Sequence, residues 1–155
     1  MTKLSRNPKS SADIKWDPES KSLDSSLLEG VDAVVHLAGE NITSGRWNNS
    51  QKDKILKSRQ QGTKLLCDAI SKLKNPPKAL ISASGINFYH GNSQKPYDEN
   101  SSIGTSFLST VCNEWEIATA SAESAGIRVC HLRIGIVLSK NGGALKKMLL
   151  PMRLG

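Results

Sequence analysis

Three short apolar runs along the chain are separated by two long stretches in which apolar residues return every three or four positions. The first run, Ala33-Val34-Val35-His36-Leu37, is continuous and rich in β-branched residues, which predicts a parallel strand covered on both faces. It closes on the loop sequence Ala38-Gly39-Glu40-Asn41. The first periodic stretch predicts a long helix. Asn49 or Ser50 caps it, Asp53 stands three residues after Ser50 as in a capping box, and Pro76-Pro77 stop it. Its inward stripe is Ile55, Ser58, Gly62, Leu66, Ala69, Ile70 and Leu73, with small residues where a sheet approaches closely. The second run, Ala79-Leu80-Ile81-Ser82-Ala83-Ser84, predicts a strand that leads into Gly85, Tyr89, His90 and Gly91 and then a polar loop ending at Thr105. A second helix carries Leu108, Val111, Cys112, Trp115, Ala118 or Thr119, and Ala122 inward, and stops at Gly126. The third strand covers residues 128–134, followed by Gly135-Ile136-Val137-Leu138, the pair Gly142-Gly143 and a last helical piece from Ala144.

The segment ahead of these elements is less regular. Residues 2–4 are extended, and Ser5-Arg6-Asn7-Pro8 is a turn because Pro8 disfavours helix at Asn7. Residues 12–16 suit a short strand and residues 24–29 a helical turn that Gly30 stops. Strands alternating with helices at this spacing predict an α/β fold, a Rossmann-type doubly wound parallel sheet of right-handed βαβ units, in one domain spanning residues 1–155. Open parallel sheets hold their ligands at the carboxyl ends of the strands. Those ends are Leu37-Ala38-Gly39, Ser82-Ala83-Ser84 and Ile134-Gly135. Small residues there admit a flat ligand against the backbone, and Ser84 adds a hydroxyl; the same residues also suit ordinary tight turns.

Composition narrows the setting. At 155 residues the chain supports one core, and 37% apolar with 23% charged residues gives a folded protein with a polar surface. There is no run of about 18 apolar residues and no apolar signal-peptide core at the N-terminus, so the expected location is the cytoplasm or another reducing compartment, with no membrane partner. Cys67, Cys112 and Cys130 are odd in number and form no Cys-x-x-Cys pair, which predicts neither a disulfide framework nor a metal site. The net charge of +7 is concentrated between Arg46 and Lys78, where nine Lys and Arg face only Asp53 and Asp68. A nucleic-acid reader would pair such a stripe with stacking aromatics, and only Trp47 is present, so a solvated helix face is the expectation and a nucleic-acid partner is not.

Several short motifs occur in order: Leu4-Ser5-Arg6-Asn7-Pro8, His36-Leu37-Ala38-Gly39-Glu40-Asn41-Ile42, Arg46-Trp47, Lys57-Ser58-Arg59, Ile81-Ser82-Ala83-Ser84, Trp115-Glu116 and Leu132-Arg133-Ile134-Gly135-Ile136-Val137-Leu138. Gly142-Gly143-Ala144-Leu145 and the closing Arg153-Leu154-Gly155 extend the series. Together they resemble the atypical short-chain dehydrogenase/reductases of the NAD-dependent epimerase/dehydratase kind. The resemblance implies an NADP cofactor and an unidentified small-molecule substrate. It places Arg6 against the adenosine 2′-phosphate, where an arginine makes charge-assisted contacts that an unphosphorylated ribose cannot offer. It lays Leu37, Ala38 and Gly39 along the cofactor and also assigns Arg133 and Gly135, at the end of the third strand, to cofactor binding. Ser84 is implied as the hydroxyl that hydrogen-bonds a substrate carbonyl or hydroxyl.

Two departures from that pattern shape the expectation. The usual catalytic Tyr-x-x-x-Lys falls by register on Val111 and Trp115, neither of which shuttles a proton. Tyr89, Cys112 and Glu116 are the nearby groups able to substitute, with Tyr89 paired to Ser84 as the catalytic candidates. The family also opens on a strand and a glycine-rich turn that binds pyrophosphate, and this sequence contains no such motif. It resembles about half of a family member, lacking that first strand and the later substrate half. The missing strand belongs between residues 2–4 and residues 33–37, which predicts a marginally stable chain that binds dinucleotide poorly or not at all. The expected function is an NADP-binding oxidoreductase or epimerase-like protein, with a non-catalytic NADP-binding regulator as the alternative and a basic nucleic-acid binder behind both.

Overall fold

The computed structural model describes residues 1–91, 94 and 96–154. Of the sequence expectations, Gly155 of the closing motif and positions 92, 93 and 95 of the polar loop lie outside the described residues. The chain runs β1 (Lys3–Ser5), β2 (Asp13–Asp17), β3 (Ser22–Leu23), a 3-10 turn (Ser25–Leu28), β4 (Ala33–His36) and α1 (Asn49–Ile70). It continues through β5 (Ala79–Gly85), a second 3-10 turn (Ile86–Phe88), α2 (Phe107–Ile117), α3 (Ala120–Ser124), β6 (Arg128–Ile134) and α4 (Gly143–Leu154).

β5 is the strand the apolar pattern predicts best, and it is the middle of a parallel sheet ordered β4-β5-β6. Its register sets Val34 beside Leu80 and Leu80 beside Val129. The described strands form two sheets where the sequence suggested one: β1 pairs parallel with β2, and the two-residue β3 adds antiparallel to β2. Among the described residues nothing pairs with the second edge of β1 or of β4. One core nevertheless joins both sheets, with Ile14 from β2, Leu66 and Ile70 from α1 and Leu80 from β5 in a single buried cluster against which Leu4 and Val34 pack. Strand β4 departs from the expected cover on both faces. His36 is 4% exposed, but Val35 is 60% and the following Leu37 62% exposed, because no described element lies over that face.

Helix α1 starts one residue earlier than the sequence suggested. The Asn48 side chain caps it by accepting from Gln51 N–H at 2.9 Å, and Asp53, free of any capping box, pairs with Lys57 one turn on. Its buried residues are Ile55, Gly62, Thr63, Leu66, Cys67 and Ile70, close to the expected stripe. Gly62 matters there, since a β-carbon at that position would come within 3.4 Å of the Trp16 ring. The second helix is broken in two. Thr119 N–H bonds to the Glu116 carbonyl instead of continuing the i−4 ladder, and the Thr119 hydroxyl donates to that same carbonyl at 2.7 Å, a side-chain bond that competes with the helix. The chain leaves α3 through Gly126 at φ +81°, a left-handed conformation that suits glycine.

Candidate functional site

The sequence-derived site residues separate into two groups at the carboxyl ends of the strands. The first flanks a groove of about 80 Å³ lined by Arg6, Trp16, Pro18, Glu19, Ala38, Gly39, Glu40 and Ser58. Arg6 reaches it from the exposed turn after β1, and Ala38 and Gly39 from the loop after β4, so two segments over thirty residues apart in sequence meet on one surface. Arg6 carries no ion pair among the described residues. Leu37 lies just before this groove and is exposed, while Gly135 is exposed beyond β6.

Beneath the groove, His36 is buried with its Nε2 2.9 Å from the Thr63 hydroxyl and its ring edge-on to Trp16. Burial lowers its pKa to about 4, so the ring is neutral near neutral pH. The loop above is held by α1. Glu40 N–H donates to the Ser58 hydroxyl at 2.9 Å, and Arg59 Nη1 donates to the Glu40 and Ile55 carbonyls at 3.0 and 3.1 Å. The sequence reading took Gly39 as bare backbone for a flat ligand. In the fold, the side on which a β-carbon would stand is filled by the Arg59 guanidinium.

The second group is a hydrogen-bonded network that joins β5, α2 and β6. The Ser84 hydroxyl donates to Glu116 Oε1 at 2.6 Å. Arg133 clasps the same carboxylate with two bonds, Nε to Oε1 at 3.0 Å and Nη2 to Oε2 at 2.9 Å, and its Nη1 donates to the Tyr89 hydroxyl at 2.8 Å. The guanidinium also lies over the Phe88 ring, 3.6 Å from its centre. Burial pushes the Glu116 carboxyl up, but the bonds from Arg133 and Ser84 outweigh it and hold the group below its ordinary value. The Glu116 hydrogen bond in turn raises Arg133. Arg133 thus stands with Ser84 and Tyr89 and apart from the groove that holds Arg6, Ala38 and Gly39. Cys112 is buried beside Ser84 and Gly85, and burial raises its thiol above the ordinary range. A thiol held protonated is a poor nucleophile.

Tyr89 opens onto a cleft of about 740 Å³ lined by Ile86, Asn87, Tyr89, His90, Gly91, Tyr97, Thr105, Ser106 and Ser109. Its ring stacks on Tyr97 with centroids 5.0 Å apart. Ser84 is 5% exposed and its hydroxyl is committed to Glu116, so substrate contact requires that hydroxyl to turn away. No group of His, Cys, Asp and Glu among the described residues is placed to hold a metal ion, and no described helix is long and apolar enough to cross a membrane.

Glu116 was visible in sequence within the Trp115-Glu116 motif and as one of three substitutes for the absent tyrosine and lysine. Its partnership with Arg133 spans 17 residues and depends on α2 packing over β5, beside which β6 pairs. Arg59 appeared only inside a short motif. The available signal was its place four residues after Ile55, at the flank of the inward stripe, where a charged residue is out of pattern.

Residues 5–153 match the model of the NAD dependent epimerase/dehydratase family. The chain is 40% identical over 143 residues to epimerase family protein Mb2239 of Mycobacterium bovis, an alignment covering 92% of this chain and 47% of that protein. Two solved structures share the fold at TM-score 0.83: human epimerase family protein SDR39U1 with NADPH, at 38% identity over 99% of this chain and 51% of that one, and a nucleoside-diphosphate sugar epimerase from Corynebacterium glutamicum, at 36% identity over 99% and 32%. The chain spans about half the length of the curated relatives it matches. With the match running through both groups of site residues, the chain belongs to the NAD-dependent epimerase/dehydratase family.

Proposed function

We propose that this chain forms the NADP-facing part of an oxidoreductase or epimerase acting on a small molecule. The observation that carries the reading is the groove that unites Arg6 with Ala38 and Gly39 at the strand ends. The donor set fits the cofactor: Arg6 is exposed, carries no ion pair among the described residues and offers a planar cation, the chemistry that a 2′-phosphate requires. The human relative crystallised with NADPH supports the same choice.

In this reading Arg6 holds the 2′-phosphate, and Leu37, Ala38 and Gly39 lie along the cofactor. Bound NADPH or NADP would supply or accept a hydride. Tyr89 and Ser84 orient the substrate. Because the Tyr89 oxygen already accepts from Arg133, its own proton is free for a substrate oxygen in the cleft. Ser84 serves the same substrate when its hydroxyl turns from Glu116, and Arg133 and Glu116 keep both hydroxyls in place. The test is absorbance of the cofactor across a panel of carbonyl compounds and nucleotide sugars, with Ser84→Ala and Tyr89→Phe beside the parent chain. Turnover that both variants reduce supports the reading. Bound cofactor that no compound oxidises or reduces would favour a regulatory NADP-binding protein.

A further inference from the structure

Arg59 leaves α1 and lies flat between the strand-end loop and α2. An ideal β-carbon on Gly39 would stand 3.0 Å from its Cζ, 3.2 Å from Nη2 and 3.3 Å from Nε, while on another side the guanidinium lies 4.9 Å from the centre of the buried Trp115 ring. A guanidinium presents five N–H donors. Nη1 spends its pair on the carbonyls of Glu40 and Ile55, and among the described residues Nε and Nη2 have no acceptor. The indole N–H of Trp115, in the ring that Arg59 lies on, is buried and likewise has no partner among them.

The charge is also unbalanced locally. Burial works against the guanidinium, with Cys112 and Glu40 opposing that effect, yet among the described residues no carboxylate is within ion-pair distance, and Glu40 Oε1 takes its hydrogen bond from Ser44. A half-buried cation with unmet donors is costly unless an anion completes it. By contrast, Arg133, the other half-buried arginine of the site, is fully engaged by Glu116 and Tyr89.

We propose that Arg59 is an oxyanion-binding residue, taking a phosphate or carboxylate oxygen of a ligand that lies along the end of β4. Arginine suits the task because Nε and Nη2 form one edge of its fork and accept two oxygens side by side. The two sources of such an oxygen are a phosphate of the dinucleotide and an acidic group on the substrate. Only the first rests on the dinucleotide reading given above.

The test follows the side-chain Nε–H signal of Arg59 by NMR in the full chain, assigned by its loss in Arg59→Lys, during separate titrations with NADPH, inorganic phosphate and acetate. A saturable shift with any of the three supports the proposal. A response to NADPH at about tenfold lower concentration than to phosphate assigns the oxyanion to the cofactor, whereas a response to phosphate or acetate without one to NADPH assigns it to the substrate. A signal that none of the three moves overturns the proposal and leaves Arg59 as a fastener of the Gly39–Glu40 loop. The Arg6 backbone amide, followed in the same spectra, reports the dinucleotide reading separately: its silence beside a responding Arg59 counts against that reading alone.

Discussion

At position 39 a β-carbon would meet Arg59 Cζ at 3.0 Å, tighter than side chains tolerate without movement, and the guanidinium is already engaged by the Trp115 ring and the Glu40 and Ile55 carbonyls. Gly39→Ala therefore overpacks the loop and should cost about 1–3 kcal/mol in urea unfolding. The same change in an Arg59→Met background should cost clearly less; an equal cost in both would remove Arg59 as the reason for the glycine. His36 makes a second prediction at this scale. Its pKa is about 4 in the fold against 6.5 unfolded, so the unfolded chain binds the extra proton first and stability falls as pH drops from about 6.5 toward 4. Between pH 7.5 and 5 this amounts to about 2 kcal/mol. Denaturant unfolding at the two pH values should show that loss in the parent chain and much less of it in His36→Asn; an identical loss in the variant would assign it to other groups. Ala38, Gly39 and Ser84 were legible because each sits at a strand end, whereas Arg6 and Tyr89 came only from the family resemblance. The sequence did not expose what each one touches, since Arg133 and Glu116 find one another only through packing.

Glu116 is the place where separate elements depend on one carboxylate. It sits on α2, accepts from Ser84 on β5, and receives two bonds from Arg133 on β6, with the Arg133 and Glu116 side chains 19% and 11% exposed. Glu116→Gln leaves the guanidinium without its counter-charge in a largely dry site, which should destabilise the chain by about 3 kcal/mol, the low end for a broken buried pair because neither partner is fully enclosed. Thermal or urea unfolding checks this, and a loss below about 1 kcal/mol, the value typical of exposed pairs, would show the clasp to be solvated. Helix α1 and strands β5 and β6 were legible because Ile55 to Ile70 keep helical spacing, β5 opens on an unbroken apolar run and β6 follows the Gly126 stop with Val129, Cys130, Leu132 and Ile134. The cap was displaced by one because Asn48, Asn49 and Ser50 all carry capping side chains, and only the fold selects among them. The break between α2 and α3 was hidden because Leu108 to Ala122 hold their periodicity across it. The one local signal was Thr119, whose hydroxyl reaches back to the Glu116 carbonyl. The two residues of β3 offer no period to read.

Taken whole, the molecule has one core and two sheets, and β1 and β4 each have an edge that no described strand pairs. Val35, Leu37, Ile136, Val137 and Leu138 are each 60–74% exposed, a large apolar content for a free surface. Unpaired edges and uncovered apolar residues lower stability and favour association. The chain on its own should therefore melt below the roughly 45–65 °C range of ordinary mesophilic domains, with a broad transition. A sharp transition within or above that range would show the two sheets to be self-sufficient. The alternation of strand and helix made the α/β class legible, but the division into two sheets was not, because strand order depends on pairing across the whole sheet. The central claim is that Arg6, Ala38 and Gly39 form one NADP-facing surface. NMR titration of the chain with NADPH and with NADH, following the backbone amides of these three residues, tests it most directly. Even where the chain alone binds dinucleotide weakly, NADPH at high concentration should move all three, with NADH about ten- to a hundredfold weaker, and Arg6→Ala should abolish the difference. Equal responses to the two nucleotides in the parent chain, or NADPH shifts confined to residues away from this groove, would contradict it.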